Sequence, residues 1–173
     1  VVVDEAYQPF AEYSWMADLA AFENLLVMRT VSKLGLAGVR LGYMVGRSDV
    51  ISELDKVRPP YNVNVLTETA VNFMLEHVDI LAQQATHIRA TRDELMSGLR
   101  DLAGVKAFDS NANFVLVAFE RDATEVFEAL KTRGILVKNM TKAHELLHNC
   151  LRLTVGTDAE NRSLLVALQD ILK

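Results

Sequence analysis

Apolar and polar positions along the chain follow two regimes, short β-branched runs that stop at polar clusters and one long stretch with helical spacing. Val1-Val2-Val3 reads as a strand that runs into Asp4-Glu5-Ala6-Tyr7, so polar groups gather at its carboxyl end. Asp18 to Glu23 reads as a short surface segment. Leu25-Leu26-Val27-Met28 is a second, buried strand that delivers Arg29 to Lys33 to the same edge, and Leu41 to Gly46 is a third, bounded by glycines. A helix is predicted over Asp49 to Val57, with Ser48 as its N-cap and Arg58-Pro59-Pro60 as its stop. Pro59 and Pro60 lead into Tyr61 to Asn64, a connector that is extended at first, because a residue preceding proline avoids the helical region. From Leu66 to Leu102, apolar residues such as Leu66, Ala70, Met74, Leu81, Ala85, Ile88, Leu95 and Leu99 recur every three, four or seven positions. That pattern is one long helix, or two with a bend at the polar break Glu76 to Asp79, ended by Gly104.

Beyond Gly104 short strands alternate with helices. Strands are expected at Val105 to Phe108, Phe114 to Phe119, Ile135 to Val137 and Leu151 to Val155. Helices are expected at Ala123 to Arg133 and Ala159 to Leu172, with Asp122 and Asp158 as candidate caps. The fold class is therefore α/β. Part of an open sheet is followed by a long connecting helix and a smaller C-terminal α+β unit, with the boundary inside the long helix near Ala85 to Ala90. The expected domains are 1–87 and 88–173. A β-branched run such as Val1 to Val3 is normally a central strand, so an upstream portion of the sheet is expected.

Composition narrows the function. The 173 residues are 50% hydrophobic and 24% charged, the balance of a globular chain. A net charge of −5 lacks the basic footprint that nucleic acid requires. Leu25 to Met28 and Val115 to Phe119 fall far short of the roughly 20 apolar residues of a membrane helix. Cys150, the single cysteine, excludes an intrachain disulfide and fits a reducing, cytoplasmic compartment, where it reads as a small buried hydrophobe. His77, His87, His144 and His148 show no metal-ligand spacing, and no metal site is expected.

The chemistry concentrates in Arg29 to Tyr43. Lys33 follows an apolar run, Thr30 and Ser32 flank it, a small-residue turn Leu34-Gly35-Leu36-Ala37-Gly38 comes next, and Arg40 lies beyond. A lysine forms an imine with an aldehyde only as the neutral amine, which an enclosed site or a nearby cation such as Arg40 favours. If the aldehyde is that of pyridoxal phosphate, its ring nitrogen needs a carboxylate, for which Asp4 is placed. Its phosphate needs hydroxyls, backbone N–H groups and an arginine, as Thr30, Ser32 and Arg40 provide. Singly, Asp4 reads as a solvated turn residue, Lys33 as a surface lysine and Arg40 as an ion-pair residue. Their conjunction is what points to a site.

Asp4-Glu5-Ala6-Tyr7, Arg29 to Tyr43, Pro60-Tyr61-Asn62-Val63-Asn64, Asn111-Ala112-Asn113-Phe114 and Leu151-Arg152-Leu153-Thr154-Val155-Gly156-Thr157 together resemble the histidinol-phosphate aminotransferase family. These are class II aminotransferases among the fold-type I pyridoxal-phosphate enzymes. The resemblance covers nearly the whole chain and implies the C-terminal half of such an enzyme, with part of the large-domain sheet, a connecting helix and the small domain. It implies that Lys33 bonds the cofactor and shuttles the proton between the substrate's Cα and the cofactor's C4′. Asp4 would hold the pyridine nitrogen and Tyr7 the ring hydroxyl. Thr30, Ser32 and Arg40 would surround the phosphate, and Arg152 would clamp the substrate's α-carboxylate. Relatives often have one more residue between the lysine and the arginine, so the turn is tighter here. Where some carry an arginine for the substrate's phosphate, this chain offers Lys138.

The expected activity is transamination between L-histidinol phosphate and 2-oxoglutarate, in a cytoplasmic homodimer of the full-length enzyme, with the isolated fragment inactive. Tyr13, Tyr61, Trp15 and Asn113 are given no chemical role. Rival readings are an aminotransferase for aromatic or other amino acids, a threonine-phosphate decarboxylase-like enzyme, and a non-catalytic binding or assembly domain that retains the fold.

Overall fold

The computed structural model describes residues 1–173, which divide into two compact units, Val1–Ala85 and Thr86–Lys173. The first is built on a three-stranded sheet of β1 (Val2–Asp4), β2 (Leu26–Thr30) and β3 (Gly42–Val45), in that order. β1 runs parallel to β2, with Asp4 level with Met28, while β3 runs antiparallel, with Gly42 opposite Thr30. β2 is thus hydrogen-bonded along both edges. Its Val27 is fully buried, as are its neighbours Leu25 and Val31 and the remote Phe10. β1 has a single neighbour, and Val1 and Val2 are exposed.

Helix α1 spans Ser48–Asp55. Its cap is Arg47 and not the expected Ser48, because Arg47 keeps extended backbone while Ser48 already lies in the first turn. The Arg47 guanidinium reaches across that turn to Asp49, whose carboxyl it holds below the usual carboxylate range. The long periodic stretch resolves into two helices, α2 (Val65–Leu75) and α3 (Val78–Arg100), parted at the polar break Glu76-His77. Asn64 caps α2 by accepting from the Thr67 N–H at 2.9 Å. The division between the units falls inside α3, which ends at Arg100, four residues before Gly104 with its positive φ.

The second unit holds an antiparallel sheet ordered β4-β5-β7-β6, from β4 (Val105–Ala107), β5 (Phe114–Phe119), β6 (Lys138–Asn139) and β7 (Cys150–Thr154). Period-two alternation sends Val115, Val117, Leu151 and Leu153 to one face, where they pack with Leu95 and Leu99 of α3. Leu130 of α4 (Ala123–Thr132) and Leu168 of α5 (Asp158–Ile171) complete that core. The strand expected at Ile135 to Val137 begins only at Lys138. The chain leaves α4 through Gly134 at φ 79° and returns the Ile135 N–H to the Leu130 carbonyl, so these residues form the exit turn.

Asp122 caps α4, and the Thr124 and Glu125 N–H groups pull its carboxyl below its usual range. α5 is capped by Thr157 in place of the expected Asp158. Thr157 and Glu160 form a reciprocal capping box, which lowers the Glu160 pKa. No helix is long and apolar enough to cross a membrane.

Asn149, at φ 58°, ties the start of β7 to the end of β5 and the start of α4. Its side chain donates to the Phe119 and Arg121 carbonyls and accepts from the Ala123 N–H. Asn149→Ala removes all of these bonds and leaves a left-handed conformation that alanine disfavours. The expected loss is about 3 kcal/mol, read as a lowered urea midpoint. An unchanged midpoint would show that the clamp contributes nothing.

Candidate active site

Because β1 and β2 run parallel, their carboxyl ends meet at one edge of the first unit's sheet. A cleft of about 430 Å³ opens there, lined by Asp4, Met28, Thr30, Gly42 and Met44 among others. Gly42 is needed at this place, since a Cβ on it would come within 3.0 Å of the Arg29 carbonyl. Asp4 Oδ1 accepts from the Ala6 N–H at 2.9 Å, and Oδ2 has no partner in the chain. Three residues on, Tyr7 presents its ring to Lys33, whose Nζ stands 4.8 Å from the ring centroid. Asp4, Tyr7 and Lys33 are therefore gathered by the ends of adjacent parallel strands.

Lys33 lies in a 3-10 turn, Ser32–Leu34, ended by Gly35 at φ 90°. A second turn, Ala37–Val39, follows and ends at Arg40. Arg40 is also left-handed, at φ 54°, which costs a residue with a Cβ roughly 1–2 kcal/mol. Its side chain is exposed and makes no ion pair or hydrogen bond. The Ser32 hydroxyl is likewise without a partner, while its N–H donates to Thr30 Oγ1 at 3.0 Å. Thr30 differs, because its hydroxyl proton already goes to the Leu41 carbonyl at 3.0 Å.

A free carboxylate oxygen, an amine, a hydroxyl and a guanidinium thus lie along Asp4 to Arg40. This donor set fits a ligand with a basic ring nitrogen, an aldehyde and a phosphate.

On the other face of the sheet lies a network that the sequence reading left as a solvated turn. Glu5 is only 8% exposed. Its carboxylate accepts from Arg29 Nε at 3.0 Å, from Ser14 Oγ at 3.0 Å and from the Trp15 N–H at 2.6 Å. Ser14 Oγ in turn accepts from the Met16 N–H and from Arg29. Glu5 thereby pins the segment that follows Tyr7 to the end of β2. Strand alternation was the signal available, since Asp4 and Glu5 must face opposite sides, as must Arg29 and Thr30.

In the second unit, Arg152 sits on β7 between Leu116 of β5 and Lys138 of β6, on the face turned away from the core. Its guanidinium carbon lies 5.0 Å from the centre of the Phe114 ring, and its Nε is buried with no hydrogen-bond partner. Neither Arg152 nor Lys138 belongs to an ion pair, although like charges directly opposite on neighbouring strands repel. An anion would satisfy both.

Asn113 closes the β5–β7 ladder by accepting from the Val155 N–H with its carbonyl, and Tyr61 stands 93% exposed. His87 pairs with Asp158 at 3.3 Å, and His144 Nδ1 accepts from the Leu146 N–H. No group of three or more His, Cys, Asp and Glu could hold a metal ion. Cys150 is buried, and burial pushes its thiol pKa up.

The chain belongs to the class I and II aminotransferases, whose family model matches residues 1–168. It is 58% identical over 167 residues to histidinol-phosphate aminotransferase 1 of Ralstonia nicotianae, covering 96% of this chain and 44% of that protein. Histidinol-phosphate aminotransferase 2 of Cupriavidus pinatubonensis is 56% identical over 167 residues, with 96% and 45% covered. The chain thus spans less than half the length of these curated relatives. Among solved structures, histidinol-phosphate aminotransferase of Sinorhizobium meliloti in complex with pyridoxal-5'-phosphate superposes with a TM-score of 0.82 at 27% identity, over 99% of this chain and 48% of that one. A decarboxylase of Sulfurospirillum multivorans reaches a TM-score of 0.88 at 26% identity, over 99% and 52%. The fold is accordingly that of fold-type I aminotransferases.

Glu5→Ala would leave the Arg29 guanidinium, itself largely buried, without its carboxylate. A loss of about 3 kcal/mol in unfolding free energy is expected, with Glu5→Gln losing less because the Trp15 and Ser14 bonds can persist. Equal midpoints for wild type and Glu5→Ala would contradict the assignment.

Proposed function

We propose that this chain carries part of the machinery of a pyridoxal-phosphate-dependent transamination between L-histidinol phosphate and 2-oxoglutarate, a step of histidine biosynthesis. The observation that carries the reading is that Asp4 Oδ2, the Ser32 hydroxyl and the Arg40 guanidinium are without partners in segments that adjoin one sheet edge, with Lys33 Nζ against the Tyr7 ring. The names of the relatives above support the choice of amino donor. Pyridoxal 5'-phosphate, when bound, withdraws electrons from the substrate's Cα and so makes its proton removable. The residues divide the remaining work.

Lys33 would hold the cofactor through its amine and, once the substrate's amine has displaced it, would take up and return the Cα proton. Asp4 would hold the ring nitrogen in its protonated form through the free Oδ2, and Tyr7 the ring hydroxyl. Ser32 and Arg40 would donate to the phosphate, with Thr30 beside them shaping the turn. Arg152 takes the donor's α-carboxylate, where a planar fork stacked on Phe114 suits bidentate recognition, and Lys138 takes an anionic group as a point charge.

The full-length protein is further proposed to be a cytoplasmic homodimer. The exposed apolar residues Leu66 and Phe73 on α2, with Val65, support a second copy as the partner.

The test is a donor panel on the full-length polypeptide. Histidinol phosphate is expected to exceed phenylalanine in kcat/KM by on the order of 100-fold, and Arg152→Lys to lose at least about tenfold with every donor. The 173-residue chain alone is expected to give no turnover. A preference for an aromatic donor, or release of carbon dioxide in place of amino transfer, would overturn the substrate assignment.

A further inference from the structure

Arg40 is the one proposed phosphate ligand whose backbone is held in an unfavourable conformation, with φ 54° and ψ 36°. Something must keep it there, since an arginine released from constraint leaves the left-handed region. The carbonyls on either side of it are both engaged, each by a threonine hydroxyl from a different element. Before it, the Val39 carbonyl accepts from Thr67 Oγ1 at 3.2 Å. After it, the Leu41 carbonyl accepts from Thr30 Oγ1 at 3.0 Å and from the Val31 N–H at 3.2 Å.

Each threonine is itself fixed. Thr67 stands in the first turn of α2, where its N–H donates to Asn64 Oδ1 at 2.9 Å and its hydroxyl accepts from Asn64 Nδ2 at 3.1 Å. Thr30 ends β2 and accepts from the Ser32 N–H at 3.0 Å. The two hydroxyls therefore hold the peptide unit that enters Arg40 and the one that leaves Leu41, one from the helix start and one from the strand end. The guanidinium they aim has no partner in the chain, so its direction is set by this backbone and not by a competing carboxylate.

We infer that Thr30 and Thr67 are positioning residues, a two-sided hydroxyl clamp that pre-organises Arg40 for an anionic phosphate. The inference rests on the reading of Arg40 as the cofactor-phosphate ligand. It also reassigns Thr30, whose proton is committed to Leu41, from donor on the phosphate to holder of the residue that makes that contact. Asn64, in the Pro60 to Asn64 motif, acquires a role by the same route, because it orients the Thr67 hydroxyl.

The test compares binding of pyridoxal 5'-phosphate with binding of pyridoxal, which lacks the phosphate, to the full-length apo-polypeptide. Thr67→Val and Thr30→Val are expected to weaken pyridoxal 5'-phosphate about tenfold, the loss of one net hydrogen bond, while pyridoxal affinity stays within about twofold of wild type. Thr67→Ser, which keeps the hydroxyl, is expected to restore the phosphate preference. Unchanged preference in both valine variants, or equal loss of the two ligands, would overturn the clamp. Arg40→Gln is the control. If it also keeps the phosphate preference, the reading of Arg40 itself falls. If it loses the preference while the valine variants do not, the clamp alone falls.

Discussion

The first unit depends on the double hydrogen-bonding of β2. With β1 in parallel on one edge as far as Met28 and β3 in antiparallel on the other as far as Thr30, the carboxyl end of β2 is fixed. Every group of interest hangs from that end. Asp4 is placed by β1 in register with Met28, the lysine turn begins two residues beyond Thr30, and the return of the chain at Gly42 brings Leu41 back against Thr30 and Val31. Loosening this ladder would disperse chemistry that no local turn could reassemble.

From that constraint the division of labour on the two faces of the sheet follows. Alternation sends Asp4 and Thr30 to the cleft and Glu5 and Arg29 to the reverse side. The reverse side carries a buried ion pair that fastens the loop after Tyr7, while the cleft side keeps one Asp4 carboxylate oxygen free and ties the Thr30 hydroxyl to the Leu41 carbonyl. The second unit repeats the logic. Val115, Val117, Leu151 and Leu153 fill its core, and the opposite face presents Arg152 and Lys138 side by side without a counter-charge. Groups held rigid but left unsatisfied mark the candidate sites in both units.

Much of this is legible in the sequence because burial enforces periodicity. The strands at Val1, Leu25, Leu41 and Phe114, and the split of the long helix at Glu76-His77, follow from alternation and from polar interruption. The misses share a physical cause. Ser48 and Asp158 look like caps by residue type, but the cap is decided by which residue keeps extended backbone, and those are Arg47 and Thr157. Ile135 to Val137 has strand composition, yet the exit turn from α4 takes those residues. The Thr30 hydroxyl, a phosphate donor by residue type, gives its proton to the Leu41 carbonyl. Pairings over longer separations, such as Thr67 with Val39, leave no periodic trace and emerge only when the turns are built.

The central claim is that Lys33 is the residue on which the chemistry turns. It is tested most directly by reducing the full-length polypeptide with borohydride in the presence of pyridoxal 5'-phosphate and mapping the labelled peptide by mass spectrometry. The account predicts a single stable adduct on Lys33, lost in Lys33→Ala. An adduct on another lysine, with Lys33 unmodified, would contradict it.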